Sequence, residues 1–182
     1  MGEHQVRNTL TALATLSAAG DEFWLERDAM NRALAAVRLP GRFQRAGEWI
    51  FDVAHNPAGA QVLAAALAAR PVPRPLTAVL GVLKDKDWYG IIDALAPLVD
   101  RFIVTQPASA PADRAWDPRV AAAHANSHRV ATELEPDFDV AIARARSFPG
   151  TKLVTGSFHT VGDAMLRLGV DPVTGARLAP QG

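Results

Sequence analysis

Two hydrophobic periodicities divide the chain. Over residues 4–19, Val6, Leu10, Leu13 and Leu16 recur near the 3.6-residue spacing of a helix face, and Gly20 is a natural stop. Met30, Leu34 and Val37 predict a second helix over 26–37, ended by Pro40-Gly41. Beyond that break the apolar runs shorten to strand length. Phe43 to Arg45 and Trp49 to Val53 read as a hairpin turned at Ala46-Gly47-Glu48. Strands are then expected at 76–82, 101–105 and 152–155, with a weak one near Val130. Helices are expected at 57–70, 88–99, about 118–125, 138–147 and 157–168, with a proline-rich loop over 107–118.

This alternation predicts an α/β fold: a mostly parallel, Rossmann-like sheet with an antiparallel N-terminal hairpin strand and flanking helices. The first two helices precede the alternation and read as the end of something else. The expected organisation is therefore residues 1–38 as tail helices and linker, 39–169 as the α/β domain, and 170–182, rich in Gly and Pro, as a frayed tail.

Composition narrows the function classes. The 182 residues carry 19 basic and 19 acidic side chains, which disfavours a dominant nucleic-acid or anionic-membrane footprint. No cysteine is present, which excludes disulfides and thiolate metal sites. No stretch approaches the roughly 20 apolar residues of a membrane span. The expectation is a cytoplasmic protein with neither nucleic acid nor membrane as a partner.

Candidate chemistry gathers at strand ends. Asp52-Val53-Ala54-His55-Asn56-Pro57 follows an apolar run and opens a helix, the place where open α/β sheets bind nucleotides and anions. Asp52 there suits ribose hydroxyls or a helix cap. His55 suits a phosphate, a substrate or a structural role. Arg42, in Pro40-Gly41-Arg42, offers a bidentate donor to phosphate or remains a solvated surface cation. Gly81-Val82-Leu83-Lys84-Asp85-Lys86-Asp87 combines a close-approach glycine with lysines that suit a phosphate, and with aspartates that suit helix capping. Thr155-Gly156-Ser157-Phe158-His159-Thr160 offers a hydroxyl and exposed N–H groups to a carboxylate. Neither a nucleophile elbow nor a P-loop occurs, and no metal site is expected.

These segments resemble the C-terminal domain of the Mur ligase superfamily. The nearest branch is the folylpolyglutamate synthases, in particular the bacterial bifunctional dihydrofolate synthase/folylpolyglutamate synthases. The matching segments are His4-Gln5-Val6-Arg7-Asn8, Leu39-Pro40-Gly41-Arg42-Phe43, Asp52 to Pro57, Gly81 to Asp87 and Gly156 to Val161, together covering roughly residues 4–168. The resemblance implies an ATP-dependent ligase that joins L-glutamate to dihydropteroate or folate through an acyl phosphate. It implies that Asn8 contacts the adenine end of ATP, Arg42 its phosphates and Asp52 its ribose. His55 would serve the terminal phosphate and the incoming glutamate as the catalytic residue, with Ser157 and Lys84 on the substrate side. Such enzymes carry an N-terminal ATPase domain with the P-loop and most Mg²⁺ ligands, so residues 1–38 match that domain's tail and the chain alone is expected to be inactive. The apolar face of the first helix is then expected to be mobile or covered by another chain. A stand-alone α/β binding or regulatory module, and a Mur-type ligase for another acceptor, are the alternatives.

Overall fold

The computed structural model describes residues 3–176 and 178. The chain falls into two compact units, residues 1–38 and 39–182. The first holds α1 (Glu3–Ala19), a 3-10 turn (Asp21–Phe23) and α2 (Arg27–Ala36). Thr9, Leu13 and Leu16 make a half-buried stripe on α1, while Leu10 stays 61% exposed. No residue of α2 is buried.

The second unit is built on a six-stranded sheet in the order β1 (Gln44–Ala46), β2 (Trp49–Asp52), β6 (Thr151–Thr155), β3 (Leu76–Leu80), β4 (Arg101–Val104), β5 (Ala131–Leu134). Every neighbouring pair is parallel except β1–β2. Its helices are α3 (Pro57–Ala69), α4 (Trp88–Leu95), α5 (Pro118–Ser127), α6 (Phe138–Ser147) and α7 (Phe158–Leu168). Every residue of β2, β3 and β6 is buried, as expected for parallel strands covered on both faces. Leu63, Leu67, Ile91, Leu95, Ala121 and Ala125 from α3, α4 and α5 form one core layer. Phe138, Ile142, Val161 and Met165 from α6 and α7 form the other. The chain steps outward from β3 to β5 with helices on one face. It then returns through α6, on the opposite face, to insert β6 between β2 and β3. This reversal leaves a crevice at the carboxyl ends of the central strands, where such folds hold ligands.

Several boundaries differ from the sequence expectation, each for a local reason. The hairpin turn is only Gly47-Glu48, because Ala46 pairs with Trp49. Phe43 adopts a left-handed φ of 51° and so stands outside β1. Helix α4 stops at Leu95, since Pro97 lacks an N–H and its ring would crowd the carbonyl four residues back. Strand β3 ends at Leu80, after which Gly81 N donates to Thr155 O. The edge strand β5 begins at Ala131, after a left-handed turn at Arg129, rather than at Val130. Of the tail, Val170 is buried and residues 171–176 form a hydrogen-bonded turn, with Gly175 N donating to Asp171 O. Residues 177 and 179–182 lie outside the described set. No helix among the described residues is long and apolar enough to cross a membrane.

Candidate functional site

Register sets Asp52, the last residue of β2, beside Thr155, the last of β6, and Thr155 in turn beside Leu80 of β3. The turns that leave these three ends form the site. Asp52 is 9% exposed. Its Oδ2 accepts from Phe43 N at 2.8 Å and its Oδ1 from Ala54 N at 3.0 Å. Asp52 thus ties the Gly41–Phe43 turn to the β2–α3 turn. Gly41 has φ 64° and its O accepts from Val53 N, and a Cβ there would lie 2.8 Å from Val53 Cγ1. That close packing holds the next residue, Arg42, at the rim.

His55 is half-buried, and its Nδ1 lies 3.0 Å from Val53 O. With Nδ1–H donating there, Nε2 carries the lone pair. Phe158, the first residue of α7, stands between His55 and Arg42. Its ring centroid is 5.6 Å from the imidazole centroid and 5.9 Å from the Arg42 guanidinium carbon. The second distance is at the outer limit of cation–π attraction. Arg42 is exposed and makes no ion pair with a described residue. A cation, an imidazole acceptor and an exposed aromatic platform therefore sit together at the mouth of the β2–β6 edge.

Behind them the backbone is tightly packed. Gly156 has φ 108°, and a Cβ on it would lie 2.5 Å from Gly81 O. Ser157 caps α7, its Oγ accepting from Thr160 N at 3.0 Å, and the Thr160 hydroxyl donates to Gly81 O at 2.6 Å. Ser157 is buried, so its hydroxyl serves this local network. Asn56 caps α3, with its Oδ1 accepting from Gly59 N at 2.7 Å. The buried Thr155 Oγ1, beside Asp52 in the ladder, has no hydrogen-bond partner among the described residues. A buried hydroxyl with an unmet hydrogen bond suits a hydroxyl-bearing or hydrated ligand.

Two further expected residues are Lys84 and Asn8. Lys84 is exposed on the loop after β3, with its backbone N donating to Arg114 O. The same loop is held by Asp85, which pairs with Lys86 at 2.9 Å and with Arg114 at 2.8 Å. The Lys86 ammonium and then the Arg114 guanidinium lower the Asp85 pKa from 3.8 to about 2. Asp87 caps α4 through Gly90 N. Asn8 is exposed on α1, in the first unit. An open cleft of about 420 Å³ lies further along the carboxyl edge, lined by residues including Gln106, Pro107, Asp137 and Phe138, and none of the expected site residues lines it.

Sequence reasoning missed two features. The first is Phe158, an exposed aromatic that opens a helix within the Gly156 to Val161 segment. The second is Asp93 with His124 and His128, whose imidazole Nε2 atoms lie 2.7 and 2.9 Å from Asp93 Oδ1. Hydrogen bonds from His124, then His128, hold the Asp93 carboxyl below its usual range. The four-residue spacing of the two histidines was legible, but their meeting with an aspartate from another helix was not.

The family described as Mur ligase, glutamate ligase domain, matches residues 41–158. The dihydrofolate synthase/folylpolyglutamate synthase of Mycobacterium tuberculosis is 38% identical over 195 residues, covering 94% of this chain and 39% of that protein. The crystal structure of M. tuberculosis folylpolyglutamate synthase complexed with ADP and AMPPCP superposes with a TM-score of 0.78 at 37% identity, over 94% of this chain and 41% of that one. Escherichia coli FolC in complex with DHPP and ADP gives 0.76 at 34% identity, over 87% and 38%. The chain therefore spans about two fifths of the length of these relatives.

Proposed function

Because the chain belongs to the Mur ligase family, matching its glutamate ligase domain over residues 41–158, we propose that it is the glutamate- and ATP-contacting domain of a ligase that joins L-glutamate to dihydropteroate or a folate. In that reaction the acceptor carboxylate takes the terminal phosphoryl group of ATP, giving an acyl phosphate and ADP. The glutamate amine then attacks the acyl carbon, phosphate leaves, and the nitrogen loses a proton as the amide forms. The observation that carries the reading is the grouping of Arg42 and His55 around Phe158, above the buried Asp52 carboxylate.

Each role follows from the chemistry available. Arg42 is free to meet phosphate oxygens bidentately. Asp52 serves the ribose hydroxyls through its carboxylate, and Asn8 serves the adenine end. His55, with Nε2 as an acceptor, takes the proton released by the attacking amine. Ser157 acts on the glutamate side by fixing the first turn of α7, whose N–H groups suit a carboxylate, and Lys84 adds an exposed cation. Mg²⁺ supplies charge neutralisation of the ATP phosphates. Its ligands belong with the P-loop of an N-terminal ATPase domain, a motif these 182 residues do not contain. The reading includes a cytoplasmic setting, with neither nucleic acid nor membrane as a partner.

The test is ATP-dependent ligation of labelled glutamate to dihydropteroate, with the chain alone and with the separately prepared N-terminal domain of a related synthase. Product is expected only in the mixture, and is expected to be lost with His55→Ala. Turnover by the chain alone, or a mixture indifferent to His55→Ala, would overturn the assignment.

A further inference from the structure

Asp93 on α4, with His124 on α5 and His128 at its C-cap, forms a cluster that the ligase reading does not use. The three ligand atoms lie within 4.8 Å of one another, the one such group of His and carboxylate side chains among the described residues. Residue 128 lies three positions before β5 begins, so the cluster sits toward the amino edge of the sheet, away from the carboxyl-edge group around Asp52. We propose that Asp93, His124 and His128 bind a transition-metal dication, with Zn²⁺ as the best match, and that the ion clamps α4 to α5.

Three arguments support this site. The donor set is two imidazole nitrogens and one carboxylate oxygen, which suits Zn²⁺, Ni²⁺ or Cu²⁺ and disfavours Mg²⁺ and Ca²⁺, which prefer all-oxygen shells. The spacing is that of a helical pair: residues four apart project from one face, so both imidazoles reach the same point. The geometry is nearly assembled. Tetrahedral bonds of roughly 2.0–2.1 Å put ligand atoms about 3.3–3.4 Å apart, so the two His–Asp contacts need to open by only about half an ångström, while the two imidazole nitrogens start within 4.8 Å of each other. A fourth position stays open to water, since the Asp93 side chain is 52% exposed.

The proton balance is simple. Each Nε2 now donates to Asp93 Oδ1 and so carries a hydrogen. To ligate, a neutral ring moves that hydrogen to Nδ1, and a protonated ring releases one proton to solvent. No redox change is involved. The Tyr89 ring, 4.8 Å from His124, and the Trp88 ring, 6.2 Å away, wall one side.

Calorimetric titration of the untagged, chelator-treated full chain with zinc chloride tests the site. One ion per chain is expected, and Asp93→Ala, His124→Ala and His128→Ala are each expected to weaken it by more than roughly tenfold, the loss typical of even an outer-sphere partner. Zinc is also expected to raise the unfolding midpoint of the unaltered chain but not of the variants. Cupric ion is expected to quench tryptophan fluorescence more strongly when both histidines are present, since Trp88 lies beside His124. Far-UV circular dichroism checks that each variant keeps its helices. Histidine ring ¹⁵N shifts of the unaltered chain on zinc addition provide a reading that needs no variant. Absence of saturable zinc binding, unchanged affinity in all three folded variants, or ring shifts at other histidines with none at His124 and His128, would each overturn the proposal.

Discussion

Replacing Thr160 by valine isolates the hydrogen-bond network that closes the carboxyl edge. Thr160 is fully buried. Its hydroxyl donates to Gly81 O at 2.6 Å and lies 2.8 Å from Ser157 Oγ, which also accepts from Thr160 N at 3.0 Å. Valine keeps the shape but removes the donor to Gly81 O and the acceptor for the Ser157 hydroxyl. A buried carbonyl left without its partner costs about 1–3 kcal/mol, and the Ser157 hydroxyl adds to this unless it rotates to another acceptor. The expected destabilisation is therefore about 2–3 kcal/mol, or a fall in Tm of roughly 5–10 °C for a chain of this size. Thr160→Ser keeps both hydrogen bonds and loses one methyl group, so about 1 kcal/mol is expected. Urea unfolding followed by tryptophan fluorescence measures both, since Trp49, Trp88 and Trp116 all lie in the second unit. A Thr160→Val midpoint equal to that of the unaltered chain, or a larger loss for serine than for valine, would refute the argument.

Two further outcomes are expected. Gly156→Ala forces a Cβ to 2.5 Å from Gly81 O at a φ of 108°, and should cost more than about 2 kcal/mol in the same urea assay. Asp85 has a folded pKa lowered from 3.8 to about 2, so its stabilising contribution is present above about pH 4 and is lost as the pH falls toward 2. Asp85→Asn should accordingly flatten the acid limb of stability against pH between those values and leave the slope near pH 7 unchanged, as read from Tm across a pH series.

The fold was legible where burial is complete. Continuous apolar runs such as Trp49-Ile50-Phe51 and Leu76 to Leu80 mark β2 and β3, because a parallel strand covered on both faces tolerates few polar residues. The edge strand β5 was poorly legible because half of its face meets solvent. Its Glu133 instead pairs with Arg101 and Arg144, a charge pattern that no hydrophobic period reveals. In the site, Asp52, His55 and Arg42 were readable as residues at a strand end. Their common neighbour Phe158 opens the helix after β6, more than a hundred residues later, and only the sheet order brings it there. Ser157 departs from the sequence expectation of a hydroxyl offered to a carboxylate, since that hydroxyl is buried and spent on capping α7. The Asp93 cluster needs two helices to pack before it exists, so it has no linear signature beyond the spacing of its histidines.

The insertion of β6 between β2 and β3 bears on how the polypeptide is made. A nascent chain leaving the ribosome exposes β2 and β3 long before Thr151–Thr155 emerges, and each has one long edge with no strand to meet it. Such edges are templates for pairing with other chains. The sheet cannot close, and Phe158 cannot reach Arg42 and His55, until the last fifth of the chain is free. Completion of the sheet therefore waits on contacts between distant parts of the sequence, the class of contact that forms slowly.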